Sequence, residues 1–344
     1  MNTGKKKKLV FNVIIFLAIM ALTVWFVFRD EGVEAVLTAM TQMSIVHLLL
    51  AVAIAVFFVS AEGMMIWYLL RSINGTSSFS GCISCAFIGF LFSGITPSAT
   101  GGQPMQLYYL TREGNSWSHS SVVLMLVALM YKLVLVLFGA GMLVFWHAPL
   151  RGYLGAGYYR LFLLGLALNT LLVAGLLMVM FTPSVIRMFI SKAEWLAVKL
   201  HLLKKAGSKQ ARLDHFMENY QHALAFLKEK KEKMLVVFAG TVVQRVAVFA
   251  LTYVVYRGIG LSGTPLTTIM WLQASVYIAV DMLPIPGAQG ITEAMYRHVF
   301  LNVFTAGHVT ASMCISRGVS FYLMIVVGLI VTLYQFCIRK ESGQ

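Results

Sequence analysis

Charged residues are scarce in this chain, since only 12% of its 344 residues are Asp, Glu, Lys or Arg and 59% are hydrophobic. No single soluble core of this length could bury so much apolar surface, which excludes an ordinary soluble domain. Acidic residues are the scarcest, at 13 against 27 basic ones, and the net charge is +14. The basic residues fall almost entirely between apolar runs, where they indicate membrane topology and not nucleic-acid binding. The composition therefore predicts an all-α polytopic membrane protein.

Cysteines and catalytic signatures are also few. The four cysteines lie within or at the edges of apolar runs, which argues against a disulfide framework. Cys82 and Cys85 have the spacing of a redox or zinc motif, but the sequence offers no second ligand pair. No Ser-His-Asp, HExxH, P-loop or dinucleotide-binding pattern stands out. The sequence therefore indicates no catalytic residue, no metal site and no cofactor.

Six apolar runs are long enough, at about twenty residues, to span a membrane. They cover residues 9–28, 46–70, 121–146, 161–181, 234–256 and 310–336. The four lysines at 5–8 predict a cytoplasmic N-terminus. The first run is too long for a signal peptide and lacks a small-x-small cleavage site, so we interpret it as an uncleaved transmembrane helix.

Two further apolar segments, 82–112 and 267–304, are each interrupted by a cluster of proline and glycine. Such breaks survive at membrane depth only where protein or a wet cavity covers the backbone. A pair of breaks, one in each half of the chain, is typical of the substrate site of a secondary transporter. The sequence thus favours a transport function over any other activity.

Each broken segment fits either one interrupted span or a re-entrant hairpin of two half-helices, and the basic residues decide between them. The loop 184–233 carries eleven Lys and Arg, and it stays cytoplasmic only if 82–112 is a hairpin. The same treatment of 267–304 places Arg339 and Lys340 in the cytoplasm. We predict one domain over 1–344, with six spans and two hairpins that enter from opposite faces as inverted-topology repeats. Both termini are then cytoplasmic.

Ionisable residues inside apolar runs are costly and mark functional sites or buried partners. Those in this chain, including the two carboxylates beside the second break, are Glu62, Lys132, Arg245, Asp281, Glu293 and Arg317. Two interpretations stay open. All six form ion pairs that hold helices together, or the cations bind a lipid phosphate while the carboxylates receive a cationic headgroup or gate the cations.

The breaks themselves contribute candidate ligand contacts. Glycine at a half-helix N-terminus lets a phosphate approach backbone N–H groups, and the two glutamines are neutral donors. These candidates are Gly101, Gly102, Gln103, Gly287, Gln289 and Gly290. The same groups could simply satisfy the open helix ends. Glu293, three residues after Gly290, could likewise be a capping carboxylate.

The first break, Thr96-Pro-Ser-Ala-Thr-Gly-Gly-Gln-Pro104, and the second, Leu283-Pro-Ile-Pro-Gly287 followed by Gly290 and Glu293, carry a resemblance. Together they resemble the transmembrane region of lysylphosphatidylglycerol synthases, a family that includes the flippase half of the multiple peptide resistance factor. The resemblance covers nearly the whole chain. It implies translocation of a phospholipid such as lysyl-phosphatidylglycerol to the outer leaflet of a bacterial cell membrane, with resistance to cationic antimicrobial peptides.

Two departures from the family pattern qualify what the resemblance implies. Typical members have further membrane helices and a C-terminal acyltransferase-like domain that uses lysyl-tRNA, whereas this chain ends at Gln344. We therefore expect no aminoacyl transfer by this chain and a separate synthase protein as a partner. The second motif has Gly287-Ala288-Gln289 where Gly-Gly is commoner after Pro-x-Pro, which leaves the identity of the lipid open.

Three functions are compatible with these features. The first is a lipid flippase whose partners are a phospholipid, the bilayer and, in a homodimer, a second copy of the chain. The second is an intramembrane lipid-modifying enzyme or synthase component, with Asp281 or Glu293 as general base. The third is a scaffold that holds a separate synthase.

Overall fold

The computed structural model describes residues 43–182, 230–304 and 306–338, with isolated positions 38, 41, 218, 221, 224, 225 and 229. Within these residues all regular structure is helical, and the all-α polytopic fold class is confirmed. The predicted span at 9–28, nearly all of the basic loop 184–233, and Arg339 with Lys340 lie outside them.

The helices are α1 (Ile45–Ser72), α2 (Phe79–Gly94), α3 (Gly102–Arg112), α4 (Trp117–Phe145), α5 (His147–Phe181), α6 (Lys231–Gly258), α7 (Leu266–Val280), α8 (Ile291–Phe300), α9 (Ala306–Arg317) and α10 (Met324–Leu333). A π-helical segment, Gly318–Leu323, joins α9 to α10. Among the described residues five helical stretches are long and apolar enough to cross a membrane: α1, α4, α5, α6 and the continuous α9–α10. These are five of the six predicted spans, and the sixth is the one at 9–28.

Helix α5 begins at His147, well before the start predicted at residue 161. The apolar-run criterion missed this first part because it carries Arg151 and Arg160. Gly155 interrupts the helix with φ 62° and ψ 175°, a conformation that only glycine adopts readily. The predicted span is correct, but the helical segment 147–160 precedes it.

Helices α1 and α6 pack against each other in antiparallel orientation. The Ser44 N–H, just before α1, donates to the Gly258 carbonyl at the end of α6 (3.0 Å). Near the middle of both helices, Gln244 Nε2 donates to the Phe58 carbonyl (2.6 Å). Each helix of this pair is followed by one broken segment.

The first broken segment folds as a helical hairpin, which we call hairpin 1 (α2, the turn and α3). Its base is closed where the Thr76 N–H donates to Asn115 Oδ1 (2.9 Å) and Thr76 Oγ1 donates to the Glu113 carbonyl (3.1 Å). Midway along it, Cys85 Sγ lies 3.8 Å from the Gln106 carbonyl. The two half-helices therefore run antiparallel, with Pro97–Ala99 at the tip.

The second broken segment forms an equivalent hairpin, hairpin 2 (α7, the turn and α8). At its base the Thr264 N–H donates to the Tyr256 hydroxyl (3.2 Å), and the Tyr256 ring packs against Phe304 with centroids 5.5 Å apart. Its tip is the short helix Pro286–Ala288. Both ends of the hairpin thus meet at Tyr256, near the end of α6.

The two hairpins point toward each other from opposite ends of α1. Hairpin 1 starts just beyond Ser72, whereas the base of hairpin 2 lies at the Gly258 end of α6, which contacts Ser44. A 28-residue helix separates these ends by about 40 Å. The tips nevertheless contact each other, because each hairpin covers roughly half of that distance.

The tips share both sequence and backbone conformation. Pro97-Ser-Ala-Thr-Gly101 and Pro286-Gly-Ala-Gln-Gly290 both read Pro-x-Ala-x-Gly. The two residues after each proline are left-handed: Ser98 and Ala99 have φ 51° and 55°, while Gly287 and Ala288 have φ 59° and 49°. Left-handed backbone at a non-glycine residue costs on the order of 1 kcal/mol, so it persists only where the surrounding structure requires it.

Candidate functional site

A cavity of about 660 Å³ lies between the two hairpin tips. Its walls come from both tips and from α1, α4, α5, α6 and α9, and its volume is in the range of small-molecule sites. Polar side chains that line it include Glu62, Gln103, Gln106, Lys132, Gln244, Arg245, Asp281 and Arg317. The cavity therefore brings together five of the six ionisable residues predicted from the sequence, with Glu293 behind its wall.

Lys132 of α4 and Asp281 at the start of the hairpin 2 turn form an ion pair. Asp281 also accepts a hydrogen bond from the Tyr131 hydroxyl to Oδ1 (2.6 Å). The side chains of Lys132 and Asp281 are only 13% and 14% exposed, so little water screens this ion pair. These contacts tie the first half of the molecule to the tip of the second.

Arg317 and Glu293 form a second buried ion pair, with Nε 2.9 Å from Oε1. Arg317 Nη2 also donates to the Gly287 carbonyl (3.1 Å), and the Gly290 N–H donates to Glu293 Oε2 (2.7 Å). Glu293 occupies the third position of α8, where it caps the helix. Of the two roles open for Glu293 the structure shows the capping one, because its carboxylate already has both partners and does not line the cavity.

Arg245, in the middle of α6, is 3% exposed and has no carboxylate partner among the described residues. Its guanidinium stacks over Tyr131, 3.8 Å from the ring centroid, and over Phe58 at 4.7 Å. Nε and Nη1 are buried and have no hydrogen-bond acceptor in the described part of the chain. Buried donors of a charged group are costly when unsatisfied, and these two nitrogens could donate to an anionic group placed in the cavity.

Glu62, on α1, lines the same cavity. Its Oε1 accepts a hydrogen bond from Gln106 Nε2 (2.6 Å), and Gln106 is 4% exposed. Within the described residues Glu62 forms no ion pair, and Arg245 is not within ion-pair distance of it. The predicted ionisable set thus separates into two closed pairs and two single charges of opposite sign.

The predicted residues of the breaks divide into two groups. Gln103 and Gly287 line the cavity, whereas Gly101, Gly102, Gln289 and Gly290 do not. A Cβ on Gly101 or Gly102 would lie 2.7 Å from Thr96 or 2.0 Å from Ser93 Oγ, so these glycines allow close packing inside hairpin 1. The side-chain amide of Gln289 is buried and has no hydrogen-bond partner among the described residues.

The neutral partners that position the charges were not predicted from the sequence. Tyr131 connects Asp281 to Arg245, and Gln106 orients Glu62. A usable signal was present, because Gln106 is a polar residue within a half-helix and Tyr131 adjoins an intramembrane lysine. Neither signal specifies a partner, since the contacts join elements distant in sequence.

The family model described as lysylphosphatidylglycerol synthase TM region matches residues 13–328. The chain belongs to this family. The match includes both tips and every ionisable residue of the cavity, and it confirms the family resemblance predicted from the two breaks in the sequence. A comparison with individually curated proteins finds no match. This member of the lysylphosphatidylglycerol synthase TM region family is therefore a multi-pass membrane protein, and its cavity lies between two facing hairpins.

Proposed function

We propose that this protein is a lipid flippase. It moves an anionic or aminoacylated phospholipid, such as lysyl-phosphatidylglycerol, between the leaflets of a bacterial cell membrane and so contributes to resistance to cationic antimicrobial peptides. The observation that supports this most is the Arg245 guanidinium, buried in a headgroup-sized cavity with two N–H-bearing atoms lacking acceptors. A planar guanidinium is well suited to a phosphate, which accepts parallel hydrogen bonds.

In this proposal the two hairpins are re-entrant and enter from opposite membrane faces, with both termini in the cytoplasm. Support comes from their bases, which lie at opposite ends of the antiparallel α1–α6 pair, while their tips meet between those ends. The headgroup passes between the tips, close to Arg245, Glu62 and Gln103. The acyl chains stay on the apolar side of the cavity, where Leu172 and Leu176 of α5 contribute to the lining.

The test uses the full chain in sealed vesicles with phospholipids labelled on an acyl chain, so that the headgroup is native. A membrane-impermeant quencher reports which labels reach the outer leaflet. We expect Arg245→Gln to slow translocation at least about ten-fold, because the lost charge-assisted contact to phosphate is worth more than 1.4 kcal/mol. Arg257→Gln, an exposed arginine at the end of the same helix, is the matched control and keeps the wild-type rate.

Wild-type protein that moves lipid no faster than protein-free vesicles would reject the proposal. A modified lipid that accumulates in detergent micelles, where no second compartment exists, would instead favour the intramembrane enzyme. Asp281 is the cavity carboxylate that such an enzyme would use as a base, and it already accepts from Tyr131 and pairs with Lys132.

A further inference from the structure

We infer that Glu62 and Gln106 form a subsite for a primary ammonium, so that the cavity takes a headgroup with one phosphate and one amine. The inference rests on the proposed function and names the substrate class of the same site. Arg245 receives the phosphate, and Glu62 receives the amine. The chemical class is a net-neutral, zwitterionic phospholipid.

The first argument for this subsite is the charge balance of the cavity. Lys132 is paired with Asp281, and Arg317 is paired with Glu293. The charges left without an ionic partner among the described residues are the positive Arg245 and the negative Glu62. A ligand that brings one charge of each sign leaves this low-dielectric site neutral, whereas a purely anionic headgroup leaves the Glu62 carboxylate unpaired beside it.

The second argument is the position of the two single charges, Arg245 and Glu62, relative to each other. Phe58 and Glu62 are four residues apart on α1 and therefore lie on one face of the helix, about one turn or 5 Å apart. The Arg245 guanidinium stacks on Phe58, at 4.7 Å from the ring centroid. Arg245 therefore packs on the face of α1 that carries Glu62 without forming an ion pair with it, and both side chains line the cavity. This arrangement suits a phosphate and an ammonium joined by a short linker.

The third argument is the hydrogen bonding of the Glu62 carboxylate. Gln106 Nε2 donates to Oε1 (2.6 Å), and no described residue donates to Oε2. Gln106 reaches this position because Gly89 of α2 has no side chain, since a Cβ there would lie 2.3 Å from Gln106 Nε2. One carboxylate oxygen is therefore fixed by hairpin 1 while the other is free for a ligand.

The subsite holds one amine and not two. Asp281, the other carboxylate that lines the cavity, already pairs with Lys132 and accepts from Tyr131. A headgroup with a second ammonium finds no free carboxylate among the described residues of the site. The order of translocation rates is then phosphatidylethanolamine and alanyl-phosphatidylglycerol first, lysyl-phosphatidylglycerol next, and unmodified phosphatidylglycerol last.

The test compares these four lipids, labelled on an acyl chain, in vesicles that carry the full chain. We expect Glu62→Gln to slow the amine-bearing lipids at least about ten-fold, the value of one charge-assisted hydrogen bond. Phosphatidylglycerol should move at the wild-type rate or faster. Glu232→Gln removes an exposed carboxylate at the start of α6 and should change neither rate. Glu62→Asp keeps the charge and should retain part of the preference for amines.

The possible results separate this inference from the proposed function. If Glu62→Gln slows all four lipids equally, or if the wild type moves phosphatidylglycerol as fast as phosphatidylethanolamine, the ammonium subsite is rejected while the flippase stands. If no lipid moves, the proposed function fails first. Should Glu62→Gln fail to fold, a Glu62→Asp protein without any preference for amines would overturn the inference.

A second arm adds soluble glycerophosphoethanolamine, a phosphodiester that carries the same single negative charge and the same ammonium without acyl chains. We expect an excess of it to leave lipid translocation nearly unchanged, because it lacks the chains that reach the apolar lining at Leu172 and Leu176. Complete inhibition would assign the site to a soluble ligand and overturn the lipid assignment.

Discussion

The two hairpin tips have the same five-residue pattern and the same left-handed turn, yet they are anchored very differently. Hairpin 2 is held by Lys132 through Asp281 and by Arg317 through Glu293 and the Gly287 carbonyl. The turn of hairpin 1 is bonded mainly within itself, since Thr96 Oγ1 accepts from the Gly101 N–H (2.8 Å) and donates to the Phe92 carbonyl (2.6 Å). One tip is tied to its surroundings by charge, and the other is not.

The two hairpin tips also differ in how far their residues are exposed. In hairpin 1 the tip residues Pro97, Ala99 and Thr100 are exposed, whereas Gln289, at the position equivalent to Thr100, is 3% exposed. Segments with few buried contacts open at the lowest free-energy cost. We therefore interpret hairpin 2 as the fixed wall of the site and hairpin 1 as the element whose movement opens it. Because Gln106 belongs to hairpin 1, that movement also carries the hydrogen-bond donor of Glu62.

The largest expected effect is an all-or-none difference in sidedness. Ser80→Cys places a thiol at the base of hairpin 1, and Ser262→Cys places one near the base of hairpin 2, both at exposed serines. With the native cysteines replaced by alanine, we expect a membrane-impermeant maleimide to label the two positions from opposite faces of the cell membrane. Labelling of both from one face would contradict the opposed re-entrant hairpins.

The next effect concerns the charge that anchors hairpin 2. Glu293→Gln keeps a capping side chain at the start of α8 but leaves the buried Arg317 without its counter-ion. We expect a loss of about 3 kcal/mol in the free energy of unfolding, the usual cost of breaking a buried pair, measured by denaturant unfolding in detergent. Arg257→Gln, at an exposed site, is the control. A loss no larger than that of the control would show that hairpin 2 does not depend on this pair.

The smallest effect compares equivalent positions of the two turns. Gly287→Ala would place a Cβ 2.3 Å from the Phe321 ring at φ +59°, and we expect it to destabilise the protein by about 2 kcal/mol. Ser98 has nearly the same φ and already carries a Cβ, so Ser98→Ala should change stability by less than about 0.5 kcal/mol. Thermal unfolding in detergent measures both. Equal losses would mean that the turns are anchored alike after all.

The fold was predictable from hydropathy and charge to the extent that single residues determine it. Five spans of the described part lie where the apolar runs predicted them, and both interruptions fold as helical hairpins. The extension of α5 to His147 was missed because a helical segment that carries Arg151 and Arg160 does not count as an apolar run. Local composition identifies what can be buried, but it does not determine where a helix begins.

The candidate site was predictable as a set of residues and not as a set of contacts. Glu62, Lys132, Arg245, Asp281 and Arg317 all line the cavity, because an ionisable residue in an apolar run needs a polar environment. Which of them pair depends on the packing of α4 and α9 against hairpin 2, and this packing leaves no local trace in the sequence. Gly101 and Gly102 show the converse case, since glycine serves close helix packing as readily as ligand approach.

The repetition of Pro-x-Ala-x-Gly at the two tips has a further consequence for the proposed flippase. The two tips have equivalent local folds but different surroundings, so one structure shows the same turn in two environments. If hairpin 1 became buried and held as hairpin 2 is, and hairpin 2 became exposed as hairpin 1 is, the result would describe the opposite-facing conformation. For the proposed flippase, the two hairpins thus provide a template for the conformation open to the other leaflet.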